Sequence, residues 1–289
     1  MLAGNKSRAL ADNIIWLASY PKSGNTWFRI LVANLKSGRS EPVRINALED
    51  SGRDLLSRGP FDEITLIESG LLSDDEVDSL RPSVCAALSI AIPTNSWVKI
   101  HDAWRYVGDG EPMVSSGTGR AAIYIVRDPR DVAVSLAHHN GKSLDSAIDF
   151  MNTPRAALGR SGSRQSPQLV QELGDWSSHV SSWLDQRDLP VHLVTYEALR
   201  EDTFAVFKRA LDFAGESFTD AGVERAVRNS DFSELREQES RDGFRERLST
   251  TAPFFRRGEP GEWREQLTSA QVHRLISAHG EVMARLGYL

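Results

Sequence analysis

Residues 20–27, YPKSGNTW, have the residue types of a turn that binds an anion. Lys22 would supply a positive charge, and Gly24 would let the backbone approach a ligand closely. Three neighbouring side chains add hydroxyl and amide donors: Ser23, Asn25 and Thr26. A loop that leaves a parallel strand and enters a helix directs free backbone N–H groups at whatever lies above the sheet edge. These residues therefore predict a phosphate-binding turn.

This turn differs from the loop of the nucleotide triphosphatases. That motif, G-x-x-x-x-G-K-[ST], places its lysine after the glycines, at the start of the helix. Here Lys22 precedes the small residues, and the turn has no second glycine. A lysine and a glycine in a turn are equally compatible with an exposed connection between a strand and a helix, so this segment alone leaves both interpretations open.

The patterning of the whole chain predicts a single α/β domain over residues 1–289. Strand patterns alternate with helix patterns, which predicts a central, mostly parallel β-sheet flanked by helices and a P-loop-like strand–loop–helix unit at its start. Strands are predicted at residues 14–19, 96–101, 121–126 and 191–197. Helices are predicted between Gly24 and Gly38, after Ser73 with Glu76 completing a capping box, after Asp128 with Pro129 in first position, at 176–184, at 198–215 and after Thr268.

Two segments do not fit this alternation. Residues 107–119 are rich in glycine, serine and proline, which predicts a surface loop. Residues 141–170 are predicted to be an excursion or mobile lid rather than part of the core.

Composition and charge limit the classes of partner. The 289 residues carry a net charge of −6, whereas general binding of nucleic acid or of an anionic membrane favours a basic excess. No apolar run approaches the ~18 residues of a membrane helix, and the first residues lack the apolar centre of a secretory signal. The single cysteine, Cys85, predicts a packed thiol and a cytoplasmic protein. No carboxylate or Cys/His cluster has the spacing of metal ligands, so we expect no metal.

Several segments, in order along the chain, resemble the sulfotransferases that use 3′-phosphoadenosine-5′-phosphosulfate (PAPS). YPKSGNTW is similar to the family's 5′-phosphosulfate loop. VRDPRDVAVS (126–135) resembles the segment that holds the 3′-phosphate, with Arg127 and Ser135 in the places of its arginine and serine. FFRRGEPGEWREQLT (254–268) resembles the C-terminal loop that closes over the same phosphate. In that loop the resemblance assigns Arg256, Arg257 and Gly258 to the donor.

Two further matches concern the adenine of the donor. VTYEAL (194–199) is similar to the strand end whose tyrosine, here Tyr196, approaches the base. NSDFSEL (229–235) resembles the segment that contributes a small residue and an aromatic residue near the base. The resemblance assigns these places to Ser230 and Phe232, with Trp27 on the other side of the adenine.

The resemblance also implies the chemistry. WVKIHDAW (97–104) resembles the segment that bears the catalytic base, with His101 as that base and Lys99 two residues earlier. On a strand these two side chains point the same way. The implied reaction is sulfuryl transfer from PAPS to an acceptor hydroxyl or amine, leaving adenosine 3′,5′-bisphosphate (PAP). His101 would take the acceptor proton, while Lys22 and Lys99 neutralise charge on the transferred group.

Two other functions fit parts of the sequence. A P-loop kinase or nucleotide triphosphatase would share the strand–loop–helix and would bind ATP with Mg²⁺. A catalytically inactive module that binds adenine nucleotides would act through protein partners, although it would not need both His101 and Lys22.

The sulfate acceptor, a small molecule, is not identified by the sequence. Residues near its predicted pocket suit either a flat apolar alcohol or plain packing: Trp104, Tyr106, Phe150 and Met151. His138 and His139 follow the 3′-phosphate segment and border this region in the family. The family's dimer motif, K-x-x-x-T-V-x-x-x-E, corresponds here to REQLTSAQVH (264–273), which keeps only the threonine. The sequence therefore predicts no oligomeric state.

Overall fold

The protein is described by a computed structural model over residues 14–48, 53–108, 110–114, 118–160, 166–248 and 252–289. The strands within these residues are β1 (Ile14–Ser19), β2 (Ser96–Ile100), β3 (Tyr106–Val107), β4 (Glu111–Pro112), β5 (Gly119–Val126), β6 (Ala157–Leu158), β7 (Gln171–Glu172) and β8 (Val191–Thr195). The helices are α1 (Asn25–Ser37), α2 (Arg58–Thr65), α3 (Asp74–Ser89), α4 (Pro129–Asn140), α5 (Leu144–Met151), α6 (Trp176–Asp185), α7 (Tyr196–Glu201), α8 (Thr203–Phe213), α9 (Asp220–Arg228), α10 (Phe232–Asp242), α11 (Trp263–Gln266) and α12 (Ser269–Arg285). Short 3-10 helices span Ile45–Ala47, Arg53–Leu56 and Ser69–Leu71.

The central sheet contains β2, β1, β5 and β8 in that spatial order, and neighbouring strands are parallel. Leu17 of β1 lies opposite Lys99 of β2 and Ile123 of β5. Every residue of β1 is buried. Helices cover both faces of the sheet, which is why this strand is continuously apolar instead of alternating. The predicted α/β fold with a parallel sheet between helices is confirmed.

The two faces of the sheet support separate hydrophobic clusters. Successive residues of a strand point to opposite faces, so Trp16 joins one cluster and Leu17 joins the other. The first cluster includes buried residues of α4, α5, α6 and α12, and the second includes buried residues of α1, α8 and α9. Packing on both sides fixes the strand ends, and with them the loops that leave the strands. That residues 1–289 form one domain stays a prediction.

Glycines bound α1 at both ends. Gly24 precedes the helix with φ of 108°, and Gly38 follows it with φ of 62°. This region of φ is costly for residues with a Cβ atom. The predicted limits of α1 are confirmed. So are the predicted starts of α3 and α4, which carry Ser73 with Glu76 and Asp128 with Pro129.

The prediction that residues 141–170 lie outside the core is wrong in part. Helix α5 lies within this segment, and it buries Ile148 and Met151 completely against the first cluster. The sequence suggested a lid because polar residues flank this short helix on both sides. Residues 161–165 lie outside the described part of the chain.

Two other element predictions need correction. The single helix predicted over residues 198–215 is divided into α7 and α8 at Asp202, whose backbone is not helical and whose carboxylate accepts a hydrogen bond from Ala205 N–H. Asp202 thus caps a new helix, a role that aspartate fills well. The loop predicted at residues 107–119 begins with a short hairpin of β3 and β4.

Candidate active site

The side chains that follow the four strands of the sheet line a common cleft. Lys22 follows β1, His101 follows β2, Arg127 follows β5 and Tyr196 follows β8, and all four contribute to a cleft of about 850 Å³. Ligands bind at this edge of open α/β sheets because the loops at the carboxyl ends of the strands converge there. The C-terminal segment, residues 252–258, forms an opposite wall.

The turn between β1 and α1 has a strained and closely packed backbone. Lys22 adopts φ of 69° although it is not glycine, and strain of this kind concentrates at functional sites. A Cβ atom on Gly24 would lie 2.6 Å from Cδ2 of Tyr196. Asn25 turns inward, where its Nδ2 donates to the carbonyl of Leu17 at 2.9 Å. The side chain of Asn25 therefore holds the turn, while the first backbone N–H groups of α1 are left for a ligand.

Lys22 lies in an environment that weakens its charge. Its Nζ atom sits 3.8 Å from the centre of the Phe254 ring. Burial and the nearby ammonium of Lys99 lower the pKa of Lys22 to about 7. An anionic ligand bound beside Lys22 would raise this pKa, because the ligand favours the protonated form of the amine.

His101 is held in the tautomer that a general base requires. Its Nδ1–H donates to the carbonyl oxygen of Ser19 at 2.7 Å, which leaves Nε2 as the atom with a free lone pair. Burial, followed by the charge of Lys99, lowers the pKa of His101 well below its usual value. The imidazole is therefore neutral at ordinary pH.

A second histidine fixes the backbone of His101. His179 donates from Nε2 to the His101 carbonyl at 2.9 Å and accepts from the hydroxyl of Tyr124 at Nδ1, at 2.8 Å. The next residue is also fixed, because Asp102 forms two 2.9 Å hydrogen bonds with the buried guanidinium of Arg81. These contacts were not predicted, since nothing in the sequence indicates that α3 and α6 reach the end of β2.

Glu246 is an acidic residue within this cationic part of the cleft. It accepts hydrogen bonds from Arg29 at 2.7 Å and from the hydroxyl of Thr26 at 3.2 Å, and it lies 3.7 Å from Nζ of Lys99. Burial opposes its ionisation, but Lys99 and Arg29 outweigh burial and lower the pKa of Glu246 to about 2. Sequence reasoning missed Glu246 because a glutamate in a polar segment gives no signal.

Arg127 and Tyr196 form the other end of the cleft. The Arg127 guanidinium lies 4.4 Å from the centre of the Tyr196 ring, and its Nη2 donates to the carbonyl of Glu259 at 3.2 Å. Tyr196 donates its hydroxyl to the carbonyl of Gly258 at 2.6 Å. The strand-end residues and the C-terminal loop, which are distant in sequence, thus meet directly.

The two arginines of the C-terminal loop differ in environment. Arg256 is paired through both Nη atoms with the buried carboxylate of Glu262. Arg257 is 49% exposed and pairs with Glu265 at 2.9 Å. Because Glu265 is exposed, Arg257 can readily exchange it for a ligand. The pair of Arg256 with Glu262 is instead part of the loop's own structure.

Buried carboxylates anchor the C-terminal loop at both ends. Glu239 of α10 accepts from the backbone N–H groups of Phe254 and Phe255 at 2.6 and 2.8 Å. Asp131 of α4 accepts from the N–H groups of Gly261 and Trp263 at 2.6 and 2.9 Å. Asp131 is the second aspartate of the RDPRD segment, which begins with Arg127. This one short segment, from the end of β5 to the first turn of α4, therefore contains Arg127 and also holds the C-terminal loop that faces Arg127.

Of the residues predicted to surround adenine, some line the cleft and others do not. Trp27 and Phe232 line the cleft, and the ring of Phe232 packs so closely on Gly258 that a Cβ atom there would lie 2.5 Å from it. Ser230 is 1% exposed, and its hydroxyl donates to Ala226 inside the protein. Its carbonyl instead accepts from Nε1 of Trp27 at 2.9 Å, so Ser230 contacts the indole and does not line the cleft.

Most of the predicted site residues come together. Those that line the cleft are Lys22, Gly24, Asn25, Thr26, Trp27, Lys99, His101, Arg127, Ser135, Tyr196, Phe232, Arg256, Arg257 and Gly258. Ser23 is buried behind the turn and, like Ser230, is not among the lining residues. The roles of these residues stay predictions.

The predicted acceptor side is only partly formed by the residues named from sequence. Phe150 lines the cleft, as do His138 and His139. Met151 and Trp104 instead pack in the core. Tyr106 is exposed and donates to Asp188 at 2.5 Å. For these last three residues plain packing or surface contact is the correct interpretation.

No group of three His, Cys, Asp or Glu side chains in the described residues could hold a metal ion. None of the described helices combines the length and the apolar character that a membrane span needs. Cys85 is buried, and its thiol lies 3.9 Å from the hydroxyl oxygen of Thr118, in agreement with the predicted packed thiol.

Comparison with known proteins identifies the family. The model of the family described as sulfotransferase domain matches residues 121–287, more than half of the chain. The whole chain is 27% identical to cytosolic sulfotransferase 17 of Arabidopsis thaliana, covering 80% of that protein. It is 24% identical to sulfotransferase 2A6 of Rattus norvegicus, with 97% of this chain and 87% of the relative covered.

Solved structures share the fold. Mouse sulfotransferase SULT7A1 complexed with PAP gives a TM-score of 0.59 at 21% identity, covering 94% of this chain and 85% of that one. Retinol dehydratase in complex with androsterone and inactive cofactor PAP gives 0.61 at 19% identity, covering 95% and 81%. These matches do not favour a P-loop kinase or an inactive nucleotide-binding module. The chain belongs to the sulfotransferase family, whose model extends from β5 through α12.

Proposed function

We propose that this protein transfers a sulfuryl group from PAPS to the hydroxyl of a small-molecule acceptor. The observation that carries the proposal is the hydrogen bond from His101 Nδ1–H to Ser19, at 2.7 Å, in a cleft that also contains Lys22 and Lys99. A neutral imidazole with a fixed tautomer and two adjacent ammonium groups is the arrangement that sulfuryl transfer needs.

The cleft offers two separate groups of anion-binding residues. Lys22, Thr26 and the first N–H groups of α1 would hold the 5′-phosphosulfate. Arg127, Ser135 and Arg257 would hold the 3′-phosphate, because guanidinium groups bind phosphate oxygens in a fork. Nε of Arg127, a residue that lines the cleft, is buried without a hydrogen-bond partner in the described part of the protein. A buried polar atom of this kind calls for a partner, which supports a ligand beside Arg127.

The chain's residues divide the reaction between them. The acceptor oxygen attacks sulfur in line with the leaving oxygen of the 5′-phosphate. A new S–O bond to the acceptor forms as the S–O bond between sulfur and the 5′-phosphate breaks. His101 takes the acceptor proton at Nε2. Lys22 and Lys99 offset charge on the sulfuryl oxygens and on the departing phosphate, and PAP leaves as the second product.

The acceptor side of the cleft favours an apolar hydroxyl compound. Leu136, Phe150, Leu158 and Phe254 line it together with His139. One structural neighbour, retinol dehydratase, is known in complex with androsterone and with retinol. We propose that the acceptor here is likewise a small apolar alcohol or phenol, and that the protein works in the cytoplasm. Screening phenols, steroids and other alcohols with labelled PAPS tests the acceptor class.

Substitution of His101 tests the catalytic assignment. His101→Ala should lower turnover by about 10²–10⁴-fold, the usual contribution of a positioned general base, while PAP still raises Tm as it does for the unchanged protein. The exposed His273 on α12 provides the control, because His273→Ala should alter neither property. Near-normal turnover of His101→Ala would remove His101 as the base.

Ligand-dependent melting tests the donor site. PAP should raise Tm strongly and AMP weakly, because AMP lacks the 3′-phosphate that Arg127 would hold. ATP should have no greater effect with Mg²⁺ than without it. A Tm that responds to ATP only when Mg²⁺ is present would instead indicate the kinase alternative.

A further inference from the structure

Glu246 places a carboxylate where the cleft is otherwise built to bind an anion. The side chain is half-buried, with 22% exposure, and it contacts α1 and the end of β2 through Arg29, Thr26 and Lys99. Its pKa of about 2 means that it carries a full negative charge at any working pH. An ordinary surface ion pair would not explain a charged group inside a substrate cleft.

Two of its partners are groups that the donor's 5′ end would need. The hydroxyl of Thr26 donates to Oε2 of Glu246 at 3.2 Å, and the ammonium of Lys99 lies 3.7 Å from the same oxygen. Thr26 belongs to the first turn of α1, where a phosphate group would accept backbone hydrogen bonds. An anionic ligand at this turn and the Glu246 carboxylate would be like charges in close proximity, and their repulsion would weaken binding of the ligand.

We propose that Glu246 is an internal competitor for the 5′ anionic group of the donor, and that its carboxylate must leave Thr26 and Lys99 when the donor binds. The inference rests on the proposed function, since it assumes that PAPS or PAP binds in this cleft. Arg29 contacts the other carboxylate oxygen, Oε1, and remains available to Glu246 after the exchange.

The segment that carries Glu246 also contacts the wall of the cleft. Phe244 packs on Phe254 with ring centres 4.8 Å apart, and Phe254 lies over the ammonium of Lys22. The segment that carries Glu246 is therefore packed against the same aromatic ring that covers Lys22. Glu246 makes binding weaker than the cationic residues alone would give, which favours release of the anionic product.

Isothermal titration calorimetry with three ligands tests this inference. Glu246→Gln keeps the size and one acceptor oxygen of the side chain but removes its charge. It should bind PAP and 5′-AMP about threefold to thirtyfold more tightly than the unchanged protein, the range expected for one partly buried like charge. Adenosine 3′-monophosphate, which has no 5′-phosphate, should bind equally to both proteins.

Two variants control for fold and for general charge. Glu246→Asp retains the charge and should keep PAP affinity close to that of the unchanged protein. Glu237→Gln removes a negative charge from the exposed side of α10 and should leave all three affinities unchanged. Thermal melting of each variant verifies that it is folded.

The outcomes separate this inference from the proposed function. If the unchanged protein does not bind PAP, the proposed function fails and the inference fails with it. If the unchanged protein binds PAP but Glu246→Gln binds it no more tightly, or tightens 3′-AMP equally, the inference alone is refuted. A crystal structure of the unchanged protein with PAP gives a test without a variant. A Glu246 carboxylate that still accepts from Thr26 in that complex refutes the exchange.

Discussion

Replacing Gly24 by alanine should damage both the stability of the protein and its donor site. Gly24 has φ of 108°, and an added Cβ atom would lie 2.6 Å from Cδ2 and 3.1 Å from Cε2 of Tyr196. Tyr196 cannot move freely, because its ring is buried and its hydroxyl is bonded to Gly258. The turn and the tyrosine must therefore separate to accept the methyl group.

The expected loss follows from two contributions. A non-glycine residue at this positive φ costs about 1–2 kcal/mol, and forcing a methyl group into a packed contact costs about 1–3 kcal/mol more. We expect Gly24→Ala to lower the free energy of unfolding by about 3 kcal/mol, which corresponds to a decrease in Tm of roughly 6–12 °C for a chain of this size. PAP binding should weaken at the same time, since Tyr196 connects this turn to the C-terminal loop.

Gly38 provides the matched control. It also has positive φ, 62°, but an added Cβ atom would meet nothing within 4 Å. Gly38→Ala should therefore cost only about 1 kcal/mol, with PAP binding unchanged. Chemical denaturation, followed by fluorescence, measures both variants. In a Tyr196→Ala background the cost of Gly24→Ala should fall to its backbone part. Equal losses for Gly24→Ala and Gly38→Ala, with PAP affinity retained, would refute the steric explanation.

Two further predictions concern charge. Lys22 is protonated below its pKa of about 7 and neutral above it, and a bound phosphate favours the protonated form. PAP binding at pH 8 should therefore take up a proton, and the affinity for PAP should fall as pH rises from about 7 to 9. The Lys22→Arg variant should bind PAP with no such pH dependence. Equal calorimetric heats of PAP binding in buffers of different ionisation enthalpy would contradict the proton uptake. Asp102→Asn leaves the buried Arg81 without its main partner and should lower the free energy of unfolding by about 3 kcal/mol in a denaturation experiment. Lys208→Met breaks an exposed pair with Asp220 and should leave Tm within about 2 °C of the unchanged value. An equally small effect of Asp102→Asn would show that burial does not strengthen the Arg81–Asp102 pair.

Elements with strong local signals were predictable from the sequence. β1 is a short apolar run and α1 lies between two glycines, so their types and limits follow from residues close together in the chain. The apolar run at 121–126 likewise indicated β5, although this strand begins two residues earlier, at Gly119. The capping box at Ser73 is equally local. Helix α5 was not recognised because its apolar residues, including Ile148, span only two turns between polar segments. Its burial depends on α4 and α12, which pack against it.

The same distinction applies to the site. Lys22, His101 and Arg127 were identified because each lies in a segment that follows a strand and has a recognisable sequence. Glu246, Asp131 and Glu239 were missed in their roles, since an acidic residue in a polar segment has no pattern. Ser230 illustrates the opposite error, because its position was recognised but its hydroxyl faces Ala226 and the core.

The sequence by itself determined the parallel strands, the turn that begins α1 and the order of the segments that carry charge, because these depend on the types and spacing of neighbouring residues. Tertiary structure decided which side chains face the cleft, which tautomer His101 adopts and where Glu246 places its carboxylate. Those outcomes depend on the distances between residues that are up to about 220 positions apart, and such distances are set by packing of the whole chain rather than by any local pattern.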